Sequence, residues 1–222
     1  MKTNFSRFFL CAFVLTIALT VVLFAQGPQA PARGGAGAAP AAAPAPPMTL
    51  TTTGWMDGAV IPNKFTQAAP MPVSPALAWT NVPAGTQSLV LHFHDPDVSK
   101  NTTTADQVHW LMWNMPATLT GLPEGVPMGA QLADGSRQIS ASGSIYRGPG
   151  AGATGPYHHY TFEIYALDIK LDNIPAVSNP VAATATPNPS DELQTREKVF
   201  VAMQGHIRGK AVMFGLFRRP PA

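Results

Sequence analysis

Between residues 88 and 114 the chain carries two apolar stretches around a polar loop. In the first, Leu89, Leu91 and Phe93 alternate with Ser88, Val90 and His92. That period of two predicts a strand with two different faces. It ends at Asp95-Pro96-Asp97, where the proline turns the chain. The second stretch, 108–115, is rich in aromatic and long apolar residues and suits another strand. A third strand is predicted over 158–167, with Tyr160, Phe162 and Ile164 on one face and Thr161, Glu163 and Tyr165 on the other.

Weaker patterns flank these three. Residues 50–53 are β-prone, and 61–66 read as a short extended piece whose Pro62 disfavours a central strand. Leu77 and Trp79 share one side of an extended segment, and 81–85 form a turn. A Gly-rich run at 143–155 lacks the spacing of a phosphate-binding dinucleotide loop and is read as irregular chain around a site. One helix is predicted late. Asn188 caps it, Pro189 takes its first position, Asp191 and Glu192 lie in its first turn, and Gly205 stops it. Its apolar face is expected to hold Leu193, Arg196, Phe200 and Met203. A last strand runs through Ile207, Val212, Phe214 and Leu216 with a bulge near Gly209. Many strands, dense Gly and Pro punctuation and one late helix predict a mainly β fold, an antiparallel β-sandwich.

The first 47 residues follow a different logic. Residues 1–25 have the layout of a secretory signal: Lys2 and Arg7, then an apolar run, then small residues. The run is short for a membrane span, which needs about 20 residues. Export to a bacterial periplasm or the medium is expected, with an uncleaved membrane tether as the alternative. Residues 26–47 are Ala-, Pro- and Gly-rich and carry too little large apolar surface to repay ordering. They are read as a disordered linker, leaving 48–222 as one folded domain. The single cysteine, Cys11, lies in the leader, so the domain has no thiol for a disulfide, a nucleophile or a metal. The formal charge of the whole chain is only +2, two of its cations being Lys2 and Arg7. A nearly neutral domain has no electrostatic footprint for nucleic acid.

Candidate chemistry gathers where the first two strands meet the loop. Asp95 and His109 are placed at one end of a sheet, where a carboxylate and an imidazole can meet. Asp95 would orient His109 and favour its charged form, and a histidine so placed can bind an anion. The plainer reading is that Asp95 and Asp97 only make turn hydrogen bonds beside Pro96. His92 and His94, two apart on a strand, share a face and with Asp95, His109 or His158 offer a low-specificity metal set. Neither a G-x-S-x-G elbow nor an H-E-x-x-H helix is present, and no spacing supports a Ser–His–Asp set.

An ordered set of motifs then carries a resemblance. It runs I-P-N-K-F-T at Ile61, S-P-A-L-A-W at Ser74, N-V-P-A-G-T at Asn81, D-P-D at Asp95 and H-W at His109. It continues with N-M-P-A-T at Asn114, Y-R-G-P at Tyr146, H-H-Y-T-F-E-I-Y-A-L at His158, G-H-I at Gly205 and F-G-L-F-R-R at Phe214. The set resembles the phosphatidylethanolamine-binding protein family, in its bacterial Raf kinase inhibitor-like branch. The resemblance implies a large antiparallel sheet packed on a smaller one, with an anion pocket at one end. Carried over by motif, the ligand-binding residues are Asp95, His109, Pro149, His158 and Tyr160, with Asp97 nearby. The sequence departs from the family at D-P-D-V-S, where Ser99 stands for a proline, and at the diluted loop after Pro149. The expectation is a non-catalytic binding protein, without cofactor, for a small anionic or phosphorylated ligand. The alternatives are a protease or kinase inhibitor acting on a protein partner, and a metal-dependent hydrolase using His92 and His94. A homodimer stays open.

Overall fold

The computed structural model describes residues 45–177 and 191–221. The leader, most of the linker, and the expected helix cap at Asn188 and Pro189 lie outside the described residues. Two antiparallel sheets form the domain. The smaller has the order β1-β2-β5, from β1 (Thr49–Thr52), β2 (Leu77–Thr80) and β5 (Gly121–Leu122). The larger has the order β6-β4-β3-β7-β8, from β3 (Ser88–Asp95), β4 (Gln107–Pro116), β6 (Arg137–Ile139), β7 (His158–Leu167) and β8 (Ile207–Phe217). One helix, α1 (Asp191–Met203), precedes β8. The mainly β, antiparallel sandwich is as expected.

Period-two alternation sorts the large sheet's side chains into two cores. Leu89, Leu91 and Phe93 of β3, Trp110 and Met112 of β4 and Tyr160, Phe162 and Ile164 of β7 meet Leu50, Leu77 and Trp79 of the small sheet. The other face buries Val90, Val108, Trp113, Tyr165 and Leu167 under Val199 and Met203 of α1. Phe93 and Phe162 are paired across β3 and β7, with ring centroids 3.8 Å apart, and Phe93 also stacks on Tyr146 at 5.6 Å. Such cross-strand aromatic pairs add about 0.5–1.5 kcal/mol beyond their buried area.

Some local expectations change. Residues 61–66 are not simply extended, because Asn63–Phe65 close a 3₁₀ turn that buries Phe65. The helix buries Glu192, Thr195, Val199 and Met203, and Leu193 and Phe200 of the expected face pack partly buried against the same core. The Arg196 side chain, 13 % exposed, pairs with Asp106 just before β4. The bulge expected near Gly209 is there: β8 gains a residue between the pairs Ala166–Gly209 and Leu167–Ile207.

Candidate functional site

A cavity of about 270 Å³ opens at one end of the large sheet, lined by Asp95, His109, Arg147, His158 and Tyr160 among others. Three strands deliver its polar groups. Asp95 is the last residue of β3, and His158 and Tyr160 open the neighbouring β7. His109 arrives differently. Between the pairs Phe93–Trp110 and His94–Val108, β3 advances one residue and β4 advances two, so His109 is the surplus residue of a bulge. A bulge re-aims the side chain it carries. The His109 ring lies 5.1 Å from the Tyr160 ring at 85° and 5.4 Å from that of Phe93. The loop 147–152 supplies the remaining wall through Arg147, Gly150, Ala151 and Gly152. It lies tight on the chain beneath: a Cβ on Gly148 would stand 2.6 Å from the Phe65 carbonyl oxygen.

Each polar group has a defined partner. His158 Nδ1 is 2.8 Å from Asp95 Oδ2, while the Asp97 N–H donates to Asp95 Oδ1 at 3.0 Å. His109 Nδ1 lies 3.0 Å from the Arg147 carbonyl oxygen. A carbonyl only accepts, so Nδ1 carries the proton, and a neutral His109 keeps a lone pair on Nε2. The Tyr160 hydroxyl accepts N–H bonds from Gly150 at 3.1 Å and Ala151 at 2.9 Å, and its own O–H is directed at the Asp95 carboxylate. Arg147 Nη1 donates to Ser142 Oγ at 2.8 Å, and its Nε–H is buried without a partner.

The electrostatics follow from burial. Asp95 and His109 are each 2 % exposed. Burial pushes the His109 imidazole down to about 3, against the opposing pull of the Arg147 carbonyl, so the ring is neutral near pH 7. Burial, reinforced by the Asp95 charge, raises the Tyr160 hydroxyl and keeps it protonated. Burial also lowers Arg147, with the Glu192 carboxylate working the other way. The cavity therefore offers a neutral His109 and the Arg147 cation, while Asp95 is engaged by His158 and Tyr160.

The structure brings Asp95, His109, His158 and Tyr160 together. It changes one role, since Asp95 holds His158 and leaves His109 to a backbone carbonyl. Pro149 and Asp97 stand outside the cavity wall. Pro149 accepts the Gln67 N–H through its carbonyl at 2.8 Å. Asp97 accepts the backbone N–H of His159 at 2.6 Å and faces that residue's Nδ1 at 3.0 Å. Burial works to raise the Asp97 carboxyl, and its bonds to His159 outweigh this and lower it. Arg147 was missed by the sequence reading. Its signal was a lone arginine in Y-R-G-P with no acidic neighbour in the loop.

His92 and His94 do not join this site. On β3 they alternate with Phe93 and Asp95, so they face α1. Their rings stack 4.2 Å apart at 14°, and the Phe200 ring meets His92 edge-on at 5.0 Å. A hydrolytic metal set combining them with Asp95, His109 or His158 is ruled out by the sheet between them. Their partners are Asp106 and Glu163.

Comparison with known proteins comes down to one family. The model of the phosphatidylethanolamine-binding protein family matches residues 51–218. A UPF0098 protein of Methanothermobacter thermautotrophicus is 37 % identical over 174 residues, 78 % of this chain and 99 % of that protein. Among solved structures, CT736 of Chlamydia trachomatis, described as a homologue of that family, superposes with a TM-score of 0.59 at 27 % identity, covering 78 % of this chain and 98 % of its own. YbcL of Escherichia coli shares the fold at a TM-score of 0.54 and 23 % identity, over 78 % of this chain and 98 % of its own.

Proposed function

We infer the function from one premise: the chain belongs to the phosphatidylethanolamine-binding protein family. On that premise the domain is a non-catalytic binding protein for a small anion of phosphate or phospholipid-headgroup type. One observation carries this reading. A cation, Arg147, lines the same cavity as Asp95, His109, His158 and Tyr160, and its charge is felt by the His109 ring.

The two kinds of wall group select the ligand. A singly protonated phosphate monoester has a P–OH to donate to the bare Nε2 of His109. Its other oxygens are drawn to the Arg147 cation that lines the cavity. Pairing with His158 keeps the Asp95 carboxylate occupied, which reduces its repulsion of the incoming anion. The cavity, at about 270 Å³, suits a headgroup rather than a whole lipid.

Titration calorimetry with O-phosphoethanolamine and with inorganic phosphate tests the reading. Arg147→Gln and His109→Ala should each weaken binding by roughly tenfold, the value of one charge-assisted or buried hydrogen bond. Unchanged affinity in both variants defeats the proposal. Appearance of free ethanolamine during the titration defeats its non-catalytic part. Export belongs to the same proposal and rests on the leader at 1–25; N-terminal sequencing of protein recovered from a bacterial periplasm checks it.

A further inference from the structure

The cations of the domain are not all neutralised. Arg196 and Arg208 pair with Asp106 and Asp168, and Lys64 and Lys210 pair with Glu124 and Glu163. Three arginines at the cavity end of the large sheet do without a carboxylate among the described residues. Arg147 lines the cavity and donates to the neutral Ser142 hydroxyl. Arg218 and Arg219 follow the last residue of β8 and donate to a carbonyl and to an amide oxygen.

The end of β8 brings Arg219 to the rim of the cavity. Its backbone N–H donates to the Ala151 carbonyl at 3.1 Å, and its Nη2 lies 3.5 Å from Oε1 of Gln67. Ala151 and Gln67 both line the cavity. Gln67 is itself fixed, since its Nε2 donates to the Gly148 carbonyl at 2.7 Å. The Arg219 guanidinium therefore stands one side chain away from the cavity, held only by a long and readily exchanged contact. Arg218 is used differently. Its Nη1 donates to the Gly155 carbonyl at 3.2 Å, and its guanidinium lies over the Tyr157 ring, 4.9 Å from the centre.

The acids of the same end are already engaged. Asp95 pairs with His158 at 2.8 Å, and Asp97 with His159 at 3.0 Å. A ligand arm that ends in an ammonium group would meet an uncompensated guanidinium and two occupied carboxylates. An arm that ends in a carboxylate would meet a free cation whose planar fork matches it in two places.

We propose that Arg219 sets the ligand class: the cavity takes the phosphate of a small phosphomonoester whose other arm ends in a carboxylate, and Arg219 binds that carboxylate at the rim. This rests on the anion reading of the cavity and narrows it. Arg219 gives up the neutral Gln67 amide and gains a charged oxygen pair. Gln67 keeps its bond to the Gly148 carbonyl, so the wall stays in place. The rim is exposed, so the gain is that of an exposed ion pair, a factor of up to about five in affinity.

Calorimetric titration of the full chain near neutral pH with phosphoglycolate, ethyl phosphate and O-phosphoethanolamine tests this. All three are phosphomonoesters with a short arm, ending in a carboxylate, a methyl and an ammonium group. Expected is phosphoglycolate tightest, by up to about fivefold over ethyl phosphate, with O-phosphoethanolamine weakest. The preference should shrink with added salt. In Arg219→Gln, phosphoglycolate should fall to the level of ethyl phosphate, which itself changes little. Arg208→Gln removes an exposed arginine already paired with Asp168 and should keep the preference. Equal affinities for phosphoglycolate and ethyl phosphate in the wild type overturn the proposal. So does a preference that survives Arg219→Gln or vanishes in Arg208→Gln. Phosphate binding without any preference defeats this inference alone. If neither inorganic phosphate nor any of the esters binds, the anion reading falls and takes the inference with it. The wild-type ranking decides the matter if a variant fails to fold.

Discussion

Phe93 and Asp95 look into the sandwich and its cavity, while His92 and His94, each one residue away, look at α1. The first face is stacked aromatics ending in an open mouth, where Asp95 holds His158 and Arg147 supplies a cation. The second is closed: Asp106 and Glu163 are both engaged by cations and histidines under a helix. The same alternation therefore yields a site that must stay accessible and a polar cluster that must stay covered. What separates them is the neighbour each face meets. A Gly-rich loop leaves room above Asp95. A helix leaves none above His92.

The largest effect should come from the strand both faces share. Phe93→Ala removes a ring stacked between Phe162 and Tyr146. It should cost about 3–5 kcal/mol by urea denaturation, a typical value for deleting a buried aromatic. A loss below about 1 kcal/mol would show that the loop and helix, not the stacked core, hold β3 in place.

Next comes the covered face. Asp106→Ala strips Arg196 and His94 of their common partner. About 2 kcal/mol of stability should go, because charge and donor are left partly buried and unpaired. Asp95→Asn on the open face should cost under about 1 kcal/mol, since His158 can turn to water, yet weaken phosphate binding. Equal stability losses in the two variants would erase the contrast between covered and open.

Much of this contrast was written in the residue pattern. Alternation places Val90, His92 and His94 opposite Leu91, Phe93 and Asp95, and the strands β3, β4 and β7 are long enough for that signal to be read. Grouping His92 and His94 with Asp95 for metal chemistry ran against the same alternation. The motifs named Asp95, His109, His158 and Tyr160, but no motif could show that His109 reaches the cavity through a bulge, because a bulge is defined by its partner strand. Strands β5 and β6, of two and three residues, are too short for any periodicity. Arg147 depends on the loop's path against Phe65 and Gln67, a tertiary contact that sequence spacing does not encode.

Acid sharpens the comparison further. The buried His109 titrates at about 3 in the folded protein against an ordinary value of 6.5. Between those values the unfolded chain binds a proton that the folded one refuses. Stability is therefore complete above the ordinary value and falls as pH drops toward the folded one, with a slope of up to about 1.4 kcal/mol per pH unit. His109→Gln should lessen the loss of stability from pH ~6 to ~5 by roughly 1 kcal/mol in urea titrations. A parallel loss in variant and wild type would mean that the ring is charged in the folded state and that the donor–acceptor assignment in the cavity is reversed.

The smallest expected effect tests the edge of the site. Asp97 is close to Asp95 in sequence, and its own N–H supports the Asp95 carboxylate at 3.0 Å. Its side chain turns away, to His159, in a pair with 54 % and 38 % of the two side chains exposed. Exposed pairs of this kind contribute about 0–1 kcal/mol. Asp97→Ala keeps the backbone donor to Asp95 and removes only the outward carboxylate. It should cost under about 1 kcal/mol by thermal melting and leave phosphomonoester affinity within roughly twofold of wild type. An affinity loss matching that of Asp95→Asn would place Asp97 in the binding wall after all. The boundary between the open mouth and the surrounding surface would then have to move outward past His159.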